Sequence, residues 1–384
     1  MKSKMLLLLT MSAALILRLP AVSDEKPQPP EQTFSETIIQ LTGGPREALA
    51  GRVLLEVGNT VLLETPDSVL HLIRSADIKE RSESGGEFRS LDRHQMAARL
   101  LERTGDGFQI TFGNHHVVCS DASKLFTDYC VRLLNKTTVE YQKFFSDSDV
   151  KLHRIPDNMS VIVFRTQSEF QAYAKKQHPD TDFSDVPGYY SVRDNQMLIG
   201  AAAGDREYRG AGDVLRKLKT RIRLVETVVH EAVHQLAFNS GLQARYADTP
   251  LWISEGLAVY FERASGTGQT LWIRPGGVSR IHLRGLRAAT GNDRLSLPLS
   301  QLMAEDTGFT TQPAAAYAEG WAVVYFLARR DRKSLDRLLN GLSKTPLQQV
   351  TPQQRLDLIR QATGRTPDEL ENEVIRYMKT VKQR

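Results

Sequence analysis

The sequence predicts an α+β protein in which strands come mainly before helices. Three observations indicate this fold class: short β-like segments separated by turns fill residues 35–81, strands and helices alternate up to residue 200, and the chain after residue 213 is mainly helical in periodicity. Strands followed by helices are typical of α+β folds. With 384 residues, 41% of them hydrophobic, the chain is long enough for two or three domains.

The first 23 residues predict a secretory signal peptide. Lys2 and Lys4 precede an apolar run over residues 5–17, and Ala21 and Ser23 place small residues at the expected cleavage site. The run is too short to span a bilayer comfortably. We therefore expect an exported protein, in a periplasm, in a cell envelope or secreted. An uncleaved N-terminal anchor is the alternative.

The basic character of the chain belongs partly to this leader. Removing residues 1–23 takes away Lys2, Lys4 and Arg18 and no acidic residue, so the formal net charge would fall by three, from +5 to +2. We therefore expect no nucleic-acid partner. No other run of 18 apolar residues occurs, and no membrane span is expected after cleavage.

A polar, proline-rich linker is predicted at residues 24–34, followed by a small all-β module at residues 35–82. Segments 51–57 and 60–64 flank Gly58-Asn59, a strong hairpin turn, and a further strand is expected at 69–74. Four or five strands in so short a segment suggest a small barrel or curled sheet. At this level the module resembles SH3-like and Sm-like barrels, and it serves either as an interaction module or as a structural appendage.

A linker and helix are predicted at residues 83–107, with a flexible connection at 82–90, and a second domain at residues 108–384. In the first half of that domain we expect a strand, a long helix, a strand, a helix and a hairpin, at 108–119, 122–145, 161–165, 167–177 and 187–200. Helices are expected afterwards at 213–239, 249–263, 313–342 and 352–382. The two cysteines, Cys119 and Cys130, either pair in an oxidising compartment or remain as buried thiols.

The strongest chemical signal is the segment His230-Glu231-Ala232-Val233-His234. It lies within residues 220–239, which contain no proline or glycine and have apolar residues at helical spacing. Residues four apart on a helix face the same way, so both imidazoles can reach one metal ion. Glu231 is turned by about 100° from His230 and can lie beside that ion without binding it.

A third ligand is expected from the next helix. Thr249 is a plausible N-cap with Pro250 at the first helical position, and Glu255 then lies in the first turns. A catalytic zinc ion takes three protein ligands and keeps one position open. His230, His234 and Glu255 satisfy that number.

These residues carry a family resemblance. HEAVH, followed about 20 residues later by W-x-x-E-G-x-A, resembles the gluzincin zinc metallopeptidases. The layout is most similar to exported bacterial peptidase-like proteins with a G-Y-Y hairpin before the HExxH helix and a Y-A-x-G-W-A helix after it. Gly188-Tyr189-Tyr190 and the segment 317–322 match those features. The resemblance covers roughly residues 108–384.

The resemblance implies a zincin-like metallopeptidase domain with a helical C-terminal half, Zn²⁺ as cofactor and a peptide or protein as substrate. His230, His234 and Glu255 would bind the metal, and Glu231 would act as general base. Tyr317 would stabilise the oxyanion, with His282 as a second candidate. The hairpin at 188–200 would pair with the substrate.

The sequence also departs from the gluzincin pattern. An acidic residue is expected four positions after the glutamate ligand, where this chain has Val259, and either Glu262 or Glu226 could take its place beside a ligand. The G-x-M-E-N exopeptidase motif is absent, which argues for an endopeptidase. Seven basic residues between 206 and 223 form either a solvated surface or a region that attracts an acidic substrate. The remaining alternatives are an inactive envelope scaffold and a zinc amidase acting on a cell-wall amide.

Overall fold

The computed structural model describes residues 35–42, 48–184, 186–201, 208–289, 294–344 and 350–382. An N-terminal β-sheet and a second, mixed sheet precede a helical C-terminal half, so the predicted mixture of α and β structure in that order is confirmed. The predicted signal peptide at 1–23 and linker at 24–34 lie outside the described residues. Among the described helices, none has the length and apolar character needed to cross a membrane.

The N-terminal sheet has five antiparallel strands in the order β4-β3-β2-β1-β5. They are β1 Ser35–Leu41, β2 Ala48–Val57, β3 Thr60–Glu64, β4 Leu70–Arg74 and β5 Ile78–Glu87. The predicted turn at Gly58 joins β2 to β3, and Gly58 takes the left-handed conformation (φ 57°) that favours glycine. Ile39 and Leu63 are fully buried in the small core of this sheet.

The last strand of this sheet is longer than the sequence indicated. β5 ends at Glu87, and Glu87 pairs with Ser35 of β1. Residues 82–87 are therefore a strand rather than the expected flexible connection, because β1 offers them a partner that local composition does not reveal. β4 and β5 form the two edges of the sheet over the described residues, and the SH3-like or Sm-like barrel remains a prediction.

The second sheet is mixed, with the order β6-β7-β8-β10-β9. Its strands are β6 Gln109–Phe112, β7 His116–Ser120, β8 Met159–Phe164, β9 Gly188–Ser191 and β10 Gln196–Gly200. The single strand expected at 108–119 is wrong: the segment is a hairpin, in which the N–H of Gly113 donates to the carbonyl of His116 (2.8 Å). The hairpin expected at 187–200 is present, and Asn195 in its turn has φ 48°.

Helices cover both faces of this sheet. They are α1 Arg93–Thr104, α2 Lys124–Ser146 and α3 Gln167–Gln177. Alternate strand residues point to opposite faces: Val118 and Val161 pack in the main core with α2, whereas Cys119 and Ile162 pack in a smaller core with α1 and α3. Strand β9 is left at the edge of the sheet, next to the helical half.

The helical half contains more and shorter helices than expected. The helices are α4 Ala211–Lys219, α5 Ile222–Asn239, α6 Leu251–Glu262, α7 Arg280–Ala289, α8 Leu299–Ala304, α9 Gly308–Thr311, α10 Pro313–Arg330, α11 Arg332–Leu342, α12 Pro352–Thr363 and α13 Pro367–Thr380. Three predicted helices are each split in two. Local capping explains two of the breaks: Asp331 accepts from the N–H of Ser334, and Gly364 ends α12 in the left-handed conformation (φ 70°).

A partly buried arginine attaches the N-terminal sheet to the rest of the chain. Arg245 lies in the loop between α5 and α6, donates to the carbonyl of Ser68 (2.7 Å) and forms an ion pair with Glu64. The N–H of Leu70 in β4 donates to the carbonyl of Arg193 (2.8 Å), in the turn between β9 and β10. The small sheet therefore packs against the two loops that border the region containing HEAVH.

Candidate metal centre

Helix α5 carries the HEAVH segment at the centre of the molecule. His230, Glu231 and His234 are each only 4% exposed. The two imidazole rings lie on one side of the helix with their centroids 4.8 Å apart, as the four-residue spacing predicted. Residues around them, such as Val229 and Val233, are buried in the main core, so α5 is held on both sides of the motif.

Helix α6 brings Glu255 to the two histidines. Contacts between residues 226 and 263, 230 and 262, and 234 and 254 show that α5 and α6 run antiparallel. Oε2 of Glu255 lies 3.1 Å from Nε2 of His230, and Oε1 lies 3.5 Å from Nε2 of His234. The two Nε2 atoms are 3.1 Å apart. His230, His234 and Glu255 form a buried group that could hold a metal ion.

The start of α6 differs slightly from the expected one. Pro250 is the N-cap and the helix begins at Leu251, so Thr249 does not cap it. The N–H of Leu251 instead donates to the carboxylate of Asp306 (2.9 Å), from the segment that precedes α9. A distant acidic side chain has replaced the local cap.

The outer nitrogen of each histidine also has a partner. Nδ1 of His230 lies 2.7 Å from Oε2 of Glu262, and Nδ1 of His234 lies 3.4 Å from Oγ of Ser254. A carboxylate only accepts hydrogen bonds, so Glu262 places the proton on Nδ1 of His230 and leaves Nε2 free to bind a metal. Of the two acidic residues that the sequence left open, Glu262 is therefore the one beside a ligand.

Glu226 has a different role. It accepts hydrogen bonds from the Arg263 side chain (2.7 Å) and from the N–H of Ala264 (3.2 Å). Val259, at the position where an acidic residue was expected, is buried in the core with no exposed surface. These contacts make Glu226 a link between the start of α5 and the end of α6.

Glu231 points to the edge strand of the second sheet. The backbone N–H of Tyr190 in β9 donates to Oε2 of Glu231 (2.9 Å). Burial raises the pKa of the Glu231 carboxyl above its ordinary value, and the neighbouring histidines oppose that rise. Glu231 is therefore held beside the three candidate ligands but outside their set.

The charges of the group are strongly coupled. Burial alone would raise the pKa of Glu255, but His234 and His230 hold it down at about 2. Burial disfavours the charged form of His230, whereas its hydrogen bonds to Glu255 and Glu262 raise its pKa well above the ordinary value. Glu255 and His230 thus each favour the charged form of the other.

Tyr317 and His282 both lie near this group. The hydroxyl of Tyr317 is buried beside the Glu255 carboxylate, without a well-formed hydrogen bond among the described residues. Burial and the adjacent Glu255 and Glu231 raise its pKa well above the ordinary value, so it stays protonated at neutral pH. Burial lowers the pKa of His282 to about 4, so its ring is neutral.

Two glycines allow the approach of the helices that carry Glu255 and Tyr317. A Cβ atom on Gly320 of α10 would lie 2.8 Å from the carbonyl oxygen of Trp252, and one on Gly256 of α6 would lie 2.6 Å from the carbonyl oxygen of Gly320. No side chain fits at either position. The glycines in the W-x-x-E-G and Y-A-E-G-W segments therefore serve helix packing.

A pocket of about 270 Å³ opens beside the group. His230 and Glu231 form part of its wall, together with residues 186–188, the start of α5 and residues 279–282. His234 and Glu255 do not line it. The pocket therefore gives access to the group from the side of His230 and Glu231.

Several residues of this site have no signal in the sequence. Ser254 and Arg263 belong to no motif, and the contact of Tyr190 is made by its backbone. Only their position in the folded chain brings them to the ligands. Cys119 and Cys130, which the sequence left either paired or free, are free and buried.

In a comparison with known protein families, residues 224–348 match the family described as "Protein of unknown function (DUF1570)". The matched segment includes α5 from residue 224 onwards, α6 and α10. It thus contains His230, Glu231, His234, Glu255 and Tyr317. No curated protein matches the chain.

Proposed function

We propose that this protein is an exported zinc metallopeptidase of the gluzincin type that hydrolyses peptide bonds. One observation carries the proposal: His230, His234 and Glu255 converge in a buried group, and Glu231 is held beside that group without belonging to it. Export is inferred from residues 1–23 of the sequence. The zincin-like fold of residues 108–384 is part of the same proposal.

The spacing of the candidate ligands supports zinc. Zinc binds histidine nitrogen and carboxylate oxygen at about 2.0–2.2 Å in tetrahedral sites, which corresponds to about 3.3 Å between neighbouring ligand atoms. The distances among the two Nε2 atoms and the Glu255 oxygens are 3.1, 3.1 and 3.5 Å. Two histidines and one carboxylate are also the number of protein ligands that a catalytic zinc would take.

The positions of the residues support the following proposed roles. Zinc, when bound, supplies a Lewis acid that polarises a carbonyl and lowers the pKa of water. Glu231 takes the proton from the attacking water and passes it to the leaving amine. Its contact with the N–H of Tyr190 keeps the carboxylate at the pocket wall. The buried hydroxyl of Tyr317 is the donor proposed for the oxyanion.

Strand β9 supports a peptide as the substrate. It is the edge of its sheet, and because the N–H of Tyr190 points away from β10, the N–H and carbonyl of Gly188, two residues earlier, point the same way. Gly188 also lines the pocket. An extended peptide can therefore pair with this edge while it passes His230 and Glu231.

The test compares the purified protein with two variants, His234→Ala and Glu231→Gln. We expect about one zinc per chain in the wild type and in Glu231→Gln, and little in His234→Ala, by elemental mass spectrometry. Hydrolysis of casein should occur in the wild type and be lost in both variants, and peptidoglycan fragments are assayed beside it. Cleavage of peptidoglycan alone would favour a cell-wall amidase. Bound zinc without hydrolysis of either would favour an inactive scaffold, and no zinc in the wild type, even after reconstitution, would overturn the proposal.

A further inference from the structure

The pocket beside the candidate metal centre is rich in arginine. Arg223, Arg263 and Arg280 line it together with His230 and Glu231. Three carboxylates line it as well, but each has a defined partner: Glu226 pairs with Arg263, Glu262 with His230, and Glu231 with the N–H of Tyr190. The three carboxylates therefore engage partners other than Arg223.

Arg223 differs from two nearby basic residues, which are held by an acidic neighbour. Arg216 and Lys217 pair with Asp213 on α4. Arg223 is exposed and forms no hydrogen bond or ion pair within the described part of the chain. Of the basic run between residues 206 and 223, it is the described residue that lines the pocket. Its guanidinium is therefore available to a ligand.

The position of Arg223 relates it to the candidate ligands. Residues 223, 227, 230 and 234 follow helical spacing, so Arg223 lies on the same face of α5 as His230. Seven residues of helix separate the two, which corresponds to about 10 Å. An extended peptide advances by about 3.3 Å per residue. A group bound by Arg223 would thus lie about three residues from the scissile bond.

We infer that Arg223 binds a carboxylate of the substrate, about three residues from the scissile bond. The inference rests on the proposed peptidase function and names its substrate class. The substrate would be a peptide with an aspartate, a glutamate or its own C-terminal carboxylate about three residues from the scissile bond. A planar guanidinium suits a carboxylate because it donates two parallel hydrogen bonds.

Equilibrium binding tests this inference without hydrolysis. The probes are alanine octapeptides with an uncharged coumarin label, in which one aspartate or one asparagine occupies each position in turn and the C-terminus is amidated. A further all-alanine peptide has a free C-terminal carboxylate. Affinities are measured by fluorescence anisotropy in the zinc-loaded Glu231→Gln variant. The same affinities are measured in three double variants, in which Glu231→Gln is combined with Arg223→Ala, with Arg223→Glu or with the control substitution Arg216→Ala.

We expect one aspartate position, or the free carboxylate, to improve affinity about fivefold over the uncharged peptide, because Arg223 is exposed to solvent. Arg223→Ala should remove this preference, Arg223→Glu should reverse it, and Arg216→Ala should leave it intact. The aspartate and free-carboxylate peptides distinguish an internal acidic residue from a chain end. Equal affinity for all peptides, no binding, or a preference that survives Arg223→Ala would overturn the inference. Preferential binding without hydrolysis by the wild type would overturn only the peptidase function.

Discussion

Nδ1 of His230 lies 2.7 Å from Oε2 of Glu262, two helical turns beyond Glu255 on α6. The carboxylate orients the imidazole and fixes which nitrogen carries the proton. The helix that supplies the third candidate ligand thus also supports the first one. We therefore expect any binding of a metal at His230 to depend on Glu262 as well as on Glu255.

Glu262→Ala should weaken zinc binding about 10- to 100-fold, the usual effect of losing a carboxylate that supports a histidine ligand. Competition with a chelator of known affinity measures this change. Glu226→Ala is the matched control, because Glu226 lies on the neighbouring helix and bonds Arg263 rather than a candidate ligand. Equal zinc affinity in Glu262→Ala and the wild type would contradict the role of Glu262.

Tyr317→Phe should leave zinc content unchanged and lower kcat by about 100-fold or more, since it removes one donor to the oxyanion. The phenylalanine keeps the edge-to-face packing on Phe309, whose ring centroid is 5.1 Å away, so the fold should persist. Steady-state kinetics with the substrate found for the wild type measures the change. If His282→Gln loses activity and Tyr317→Phe does not, the oxyanion role belongs to His282.

Gly320→Ala should destabilise the protein by about 1–3 kcal/mol, because the added Cβ would lie 2.8 Å from the carbonyl oxygen of Trp252 and force α6 and α10 apart. Gly285→Ala on α7 is the control: no atom lies within 4 Å of its Cβ, so the substitution should stabilise by up to about 1 kcal/mol. Urea unfolding of the metal-free proteins compares the two. Similar stability of both variants would show that α6 and α10 do not require this contact.

Glu319 should make stability depend on pH. Burial raises its pKa to about 8, although the N–H groups of Leu297 and Ser296 donate to its carboxylate. A carboxyl whose pKa is higher in the folded state favours folding at low pH, and this contribution is lost as pH rises from its unfolded pKa, about 4.5, towards 8. Unfolding free energies of the metal-free protein should fall across this window by at most about 1.4 kcal/mol per pH unit.

Glu319→Gln should remove that dependence, because the amide oxygen still accepts from Ser296 and does not titrate. Urea unfolding at pH 5 and pH 8 in both proteins isolates the contribution of Glu319 from those of the histidines. If the free energy of unfolding changes by the same amount between pH 5 and pH 8 in the wild type and in Glu319→Gln, then Glu319 is not buried as a neutral acid.

Local patterns predicted those parts of the fold that depend on neighbours in the chain. The turn at Gly58, helix α3 and the hairpin of β9 and β10 follow from turn residues, caps and periodicity. The strand β5 was missed beyond residue 82 because its stability comes from β1, more than 40 residues away. The hairpin at 109–120 was missed because the strand-like alternation of apolar and polar residues continues through its short turn.

The sequence by itself determined the motif that carries two of the candidate ligands, since four-residue spacing on a helix places His230 and His234 side by side whatever surrounds them. It also indicated Glu255, because a catalytic zinc needs a third protein ligand and the next predicted helix carries this glutamate in its first turns. Only the tertiary structure decided that Glu262 rather than Glu226 supports His230, that the N–H of Tyr190 holds Glu231, and that Arg223 lines the pocket. These relationships depend on the antiparallel packing of α5 on α6 and on the edge strand β9. Such contacts between distant segments leave no periodic signal in the chain.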